Sequence, residues 1–305
     1  MAPYPLSEQM TAFVETTVSF NSTDSSLEGL RRAYSEMCRA FTPPRPEGLY
    51  VLDVELAGVA IRSYQPHASS SSEACPCIVY LHGGGWVVGD LDSHDFICAE
   101  LASTLGVLVI AVDYRLAPEH PFPAAFDDCI KVWRALRTGP FRLDPARTLV
   151  MGDSAGGNLA AALCLALRDA REPLPAAQIL VYPGLGGGDQ LPSRGECIDA
   201  PLLSSSDVDC YHALYLHGTR HPGAYAMPLL AGHFSGLPPA LIAVAQFDPL
   251  RDDGVLYAEQ LEAAGVDTTL YYGEGLVHGC LRARAQVAEV DALYETLLGF
   301  LADKL

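Results

Sequence analysis

VMGDSAGGNLAAAL, residues 150–163, sets a serine between glycines where a run of β-formers gives way to an alanine-rich helical stretch. Gly152 and Gly156 imply a bend too sharp for side chains on either flank, and such a bend pushes the Ser154 hydroxyl into the open. The Gly-x-Ser-x-Gly pattern is informative because a predicted strand precedes it and a predicted helix follows it, the context of a nucleophile elbow. A helix beginning behind Ser154 also turns its free N–H groups and dipole toward negative charge developing beside the serine. That makes the Ala155 N–H a natural oxyanion donor.

Outward from this elbow, apolar β-branched runs alternate with helical-period segments from about residue 75. CIVYL leads to DFICAELASTLG, VLVIAVDY to FDDCIKVWRALR, and RTLVMG to NLAAALCLALRDA. AAQILVYP, ALIAVAQF before DGVLYAEQLEAAG, and TTLYYGE before a closing helix near 283–303 complete the series. Strands that are apolar throughout are buried on both faces, which predicts a doubly wound, mostly parallel α/β sheet. Upstream, LYVLDVELAGVAIRSYQP reads as an antiparallel pair at the sheet edge.

Two segments stand outside that rhythm. Residues 1–45 carry two helical patterns, LSEQMTAFVETTV and SLEGLRRAYSEMCRAF, and end at the breaker TPPRPEG. Residues 185–225 interrupt the alternation and contain a capped helix candidate, SSSDVDCYHALYL. Both are expected to form a cap over the carboxyl ends of the strands, where open α/β sheets bind ligands. Residues 46–184 and 226–305 then form the core. The serine-rich stretch at 68–74 reads as a loop.

A serine hydroxyl needs a histidine to take its proton and a carboxylate to orient that histidine. Asp248 follows the strand ALIAVAQF, His278 follows TTLYYGE, and the order Ser, Asp, His is that of the elbow architecture. Asp252 and Asp253 fall in the first turn of the next helix, where acidic residues serve the dipole. His94, His120, His212, His217, His221 and His233 occupy helix or loop contexts without a strand end before them, and His67 lies in the upstream loop. LHGGGW at 81–86 leaves a predicted strand end, and its glycines free the backbone to aim N–H groups at a substrate oxygen. His82 lies before that bend and reads as an anchor of the loop. Trp86, directly after it, reads as a pocket wall or a packed anchor.

The 305 residues are half apolar, enough for one large core with an appendage. A formal charge of −18 argues against a nucleic-acid partner. The stretch MAPYPLSEQM has no basic start and no apolar h-region, so a cytoplasmic protein without a membrane anchor is expected. Nine scattered cysteines read as reduced core thiols, and Cys75 with Cys77 alone makes a weak metal signal.

HGGGW, DYRLAPEHPFPAAFDD, GDSAGGNLA, DPLRDDG and the late HG, in that order, together resemble the hormone-sensitive lipase-like family of α/β-hydrolases, the GDSAG-bearing bacterial esterases. The resemblance runs from about residue 48 to the C-terminus. It implies the α/β-hydrolase fold with a helical cap and a serine carboxylesterase needing no cofactor or metal. It implies Ser154 as nucleophile, His278 as general base and acid, and Asp248 as its orienting partner. The oxyanion hole would come from Gly83, Gly84, Gly85 and Ala155. Asp113, Arg115 and Glu119 would form a buried polar network holding the glycine loop, stiffened by Pro118, Pro121 and Pro123. Trp86, Asp153 and Tyr211 are the candidate substrate contacts. Where the family usually has a bulky aromatic after HG, this chain has Cys280. The expected partner is a small-molecule ester with a short to medium acyl chain, and a homodimer is left open. An amidase such as an arylformamidase could use the same residues. A ligand-binding receptor on this fold, as in the plant gibberellin receptors, would have lost the histidine that His278 supplies.

Overall fold

The apolar runs become strands whose alternate side chains divide between two cores, as a pleated strand buried on both sides must. The computed structural model describes residues 4–66 and 74–305. Its sheet contains, among the described residues, β1 (Leu49–Leu56), β2 (Val59–Pro66), β3 (Cys75–Leu81), β4 (Leu108–Asp113), β5 (Leu143–Asp153), β6 (Gln178–Val181), β7 (Ala240–Phe247) and β8 (Thr268–Val277). Their order is β1-β2-β4-β3-β5-β6-β7-β8. β2 runs antiparallel to both β1 and β4, and the remaining pairs are parallel.

On one face Val79, Leu81, Val150, Leu180 and Ile242 pack against α4 (Ala124–Leu136), α5 (Ala155–Asp169) and α8 (Arg251–Ala263). On the other, Tyr80, Met151, Ile179 and Leu241 meet α3 (Asp95–Leu105) and α9 (Ala288–Lys304). A helix precedes this alternation at each predicted place near the N-terminus: α1 (Glu8–Val18) and α2 (Leu27–Phe41). Ser7 caps α1 by accepting the Met10 N–H, and Ser26 caps α2 by accepting that of Gly29. Met10, Phe13, Met37 and Phe41 join the second core.

Between β6 and β7 the chain forms α6 (Pro192–Glu196) and α7 (Ser205–Tyr215). Ser204 and Asp207 make a reciprocal capping box at the start of α7. Asp253, fully buried, accepts from the Leu185 N–H at 2.8 Å, the Gly187 N–H at 3.0 Å and the Arg194 guanidinium at 2.8 Å. Asp252 accepts the Ser193 N–H at 2.8 Å. These two aspartates, read from sequence as partners of the helix dipole, therefore also fasten residues 185–194 to the core. The closing helix starts later than expected, at Ala288, because Cys280–Ala283 forms a 3-10 turn first. The loop reading at 68–74 falls, but for Ala74, outside the described residues, as does His67. Among the described residues no helix is long and apolar enough to cross a membrane.

Candidate active site

Ser154 caps α5 with φ 52° and ψ −118°, a left-handed backbone setting that side chains rarely adopt. The strain is held by close packing around the bend. A Cβ on Gly156 would overlap the Leu81 carbonyl, and one on Gly152 would overlap the carbonyl of Gly156. The Ser154 N–H is tied to the Val181 carbonyl at 2.8 Å. The hydroxyl is thus carried on a turn that only glycine neighbours permit.

His278 follows the end of β8, and its Nε2 lies 2.9 Å from Ser154 Oγ. Its Nδ1 lies 2.7 Å from Asp248 Oδ2. Asp248 is fully buried at the end of β7, and its other oxygen accepts the Leu250 N–H at 2.8 Å. Three strand ends distant in sequence thus bring the three side chains into one line. The Tyr182 ring lies against the imidazole at a steep tilt, with ring centroids 4.7 Å apart. Cys280 is buried beneath, so aromatic cover for His278 comes from Tyr182 and not from the residue after the HG pair.

The glycine loop leaves β3 beside this line. Gly84 and Gly85 have φ values of 123° and 58°, and among the described residues their N–H groups have no hydrogen-bond partner. Gly83 differs from the expectation. Its N–H donates to Asp153 Oδ1 at 3.0 Å, so it anchors the loop and is not available to an oxyanion. Asp153 lines the cavity, as expected of a substrate contact, but its carboxylate is already engaged, accepting the Tyr80 hydroxyl at 2.8 Å and lying 3.3 Å from His94 Nε2. Burial alone would raise its pKa, yet His94, Arg282 and Tyr80 hold the carboxyl below the usual carboxylate range. His82 stacks on Tyr114 at 4.2 Å, and burial with His94 nearby pushes its imidazole down to about 3, so it is neutral. The Tyr114 hydroxyl donates to the His82 carbonyl at 2.6 Å.

The expected buried network of Asp113, Arg115 and Glu119 does not form. Arg115 is exposed and forks onto Asp128 at 2.7 and 2.8 Å. Glu119 is exposed and pairs with Arg31 of α2. Asp113 stands apart, its carboxyl raised to about 6 by burial and by Asp90. Within this stretch the loop is instead supported by Tyr114 and by the Ala117 N–H, which donates to the Trp86 carbonyl at 2.8 Å.

A cavity of about 430 Å³ opens above Ser154, His278, Gly84, Gly85 and Ala155. α1 and α2 contribute Phe13, Tyr34 and Met37 to its walls, and the 185–225 segment contributes Leu203, Val208 and Tyr211. Tyr211 sits so close over Gly85 that a Cβ there would overlap its ring. Trp86 both lines the cavity and stacks flat on Tyr215 at 4.1 Å, so its two expected roles coexist. Sequence reasoning missed His94, Tyr80 and Tyr182, whose spacing carries no motif; only the aromatic character of strand positions hinted at the two tyrosines. Among the described residues no group of three or more His, Cys, Asp or Glu is arranged to hold a metal ion.

A family model described as the alpha/beta hydrolase fold matches residues 78–282. Esterase LipI of Mycobacterium tuberculosis is 39% identical over 266 residues, covering 85% of this chain and 82% of its own. Carboxylesterase NlhH of the same organism is 39% identical over 278 residues, covering 86% and 85%. The crystal structure of an esterase from the bacterial hormone-sensitive lipase family superposes with a TM-score of 0.88 at 28% identity, covering 98% of this chain and 99% of that one. The chain belongs to the α/β-hydrolase family, among its hormone-sensitive lipase-like carboxylesterases.

Proposed function

We propose that this chain hydrolyses carboxylic esters through an acyl-enzyme formed on Ser154. The observation that carries the reading is the unbroken line Ser154 Oγ, His278 Nε2, His278 Nδ1, Asp248 Oδ2, with contacts of 2.9 and 2.7 Å. His278 accepts the serine proton as Oγ attacks the ester carbonyl, while Asp248 fixes the imidazole tautomer and stabilises the imidazolium. The N–H groups of Gly84, Gly85 and Ala155 receive the oxyanion. His278 then protonates the departing alcohol, and water repeats the two steps to release the acid and restore the serine. The names of the relatives, esterase and carboxylesterase, support the same chemistry.

Among the described residues, 4–45 and 185–225 act as a cap over the rest of the chain. They wall a confined, mainly apolar pocket, which suits a small ester better than an oil interface. Each buried methylene adds about 0.8 kcal/mol until the pocket is full, which favours acyl chains of roughly four to eight carbons. The test is Ser154→Ala on p-nitrophenyl butyrate, with kcat/KM expected to fall at least about a thousandfold while the unfolding midpoint holds. Retention of more than about a hundredth of the wild-type rate would overturn the assignment.

A further inference from the structure

Arg282 is buried, with 6% of its surface exposed, in the wall of the cavity and four residues beyond His278. Its Nη2 donates to the Tyr34 hydroxyl of α2 at 2.7 Å. Its guanidinium lies 5.2 Å from the ring centre of Tyr34 and 5.8 Å from that of Phe96. It forms no ion pair among the described residues, and its Nε has no partner there. A buried cation without an ion pair is a costly filler, because removing a guanidinium from water is strongly unfavourable. A methionine would cover the same two rings without that penalty.

We propose that Arg282 is a positioning residue through which α2 holds the His278 turn against the glycine loop, so that the N-terminal helices set kcat as well as pocket size. Three connections meet at this side chain. Its backbone belongs to the turn Cys280–Ala283, which follows directly on His278 and Gly279. Its hydrogen bond reaches Tyr34, 248 residues away in sequence. Its charge helps keep Asp153 ionised, and Asp153 accepts the Gly83 N–H that anchors the oxyanion loop. A displacement of about 1 Å between histidine and serine is enough to slow a proton transfer a hundredfold. A cation that ties the histidine turn to α2 through a hydrogen bond, while its charge favours the ionised form of the carboxylate anchoring the loop, removes that freedom.

This inference rests on the ester-hydrolase reading, and the test separates the two. Tyr34→Phe keeps the aromatic wall and deletes only the hydroxyl. With p-nitrophenyl butyrate, kcat should fall about tenfold, the scale of one hydrogen bond to a charged group, while KM stays within about twofold. The acyl-chain optimum should stay in place, and the unfolding midpoint should fall by only a few degrees, the cost of one buried hydrogen bond. Arg282→Lys should recover part of the kcat that Arg282→Met loses. An unchanged kcat in Tyr34→Phe, a loss confined to KM, or a lysine variant no better than methionine would overturn the proposal. If wild type is active, Ser154→Ala is inactive and Tyr34→Phe is unchanged, this inference alone falls. A wild type inert on esters takes both readings with it.

Discussion

The bend that carries Ser154 and the segments that wall the cavity beside it, residues 4–45 and 185–225, are held by different kinds of force. At the bend the constraint is backbone against backbone: Gly156 rests on the Leu81 carbonyl with no room for a Cβ. In the cavity-wall segments the constraint is side chain against side chain: Phe13 packs edge-on against Phe41 at 5.2 Å, Tyr211 lies over Gly85, and Tyr34 reaches Arg282. Backbone contacts of the first kind tolerate one residue type and leave a readable motif. Contacts of the second kind can be met by many combinations of similar volume.

Substituting a glycine in each region should break this comparison most visibly. Gly156→Ala places a methyl inside the Leu81 carbonyl and should lower stability by about 3 kcal/mol or more, with turnover essentially lost. Gly195→Ala in α6 meets nothing within 4 Å and should leave both within about 0.5 kcal/mol of wild type. Urea unfolding with p-nitrophenyl butyrate kinetics checks the pair. Equal effects at the two positions would erase the distinction.

The same distinction explains what the sequence revealed. The elbow, the strand-end placement of Asp248 and His278, the antiparallel start and the capped helix of the insertion could all be read, because each rests on a local backbone rule. Gly83 was misplaced because its N–H is claimed by Asp153, a side chain 70 residues away. The Asp113, Arg115, Glu119 network failed for the same reason in reverse: Asp128 and Arg31 supply nearer partners. Long-range pairing of side chains leaves no spacing to recognise.

A smaller effect sharpens the account of the cover. Leu203→Ala enlarges the cavity wall and should move the acyl optimum of a two- to sixteen-carbon p-nitrophenyl series upward by about two carbons. The kcat for the shortest esters should change little. An unshifted optimum would mean that the insertion does not bound the acyl site.

The smallest effect belongs to the core away from both regions. Burial, with Asp90 nearby, raises Asp113 to about 6 from an ordinary value near 4, so the folded state favours its neutral form. The sign follows: stability is full below the unfolded pKa and declines as pH rises through about 6. Asp113→Asn should therefore raise the unfolding midpoint at pH 8 by a degree or two, a modest gain because the carboxyl keeps some contact with water. At pH 4 the two proteins should melt together, with kcat the same at pH 8. A variant less stable than wild type at pH 8 would show that the ionised carboxylate has a stabilising partner.

The central claim, that the hydroxyl on the strained bend is the nucleophile, is tested most directly by covalent labelling. Incubation with an alkyl p-nitrophenyl phosphonate should release p-nitrophenol as one phosphonyl group bonds to each chain, with intact mass giving the stoichiometry and peptide mapping placing the adduct on Ser154. Ser154→Ala should remain unlabelled and His278→Ala should label far more slowly. An adduct on another residue, or ester turnover that continues after full labelling, would contradict it.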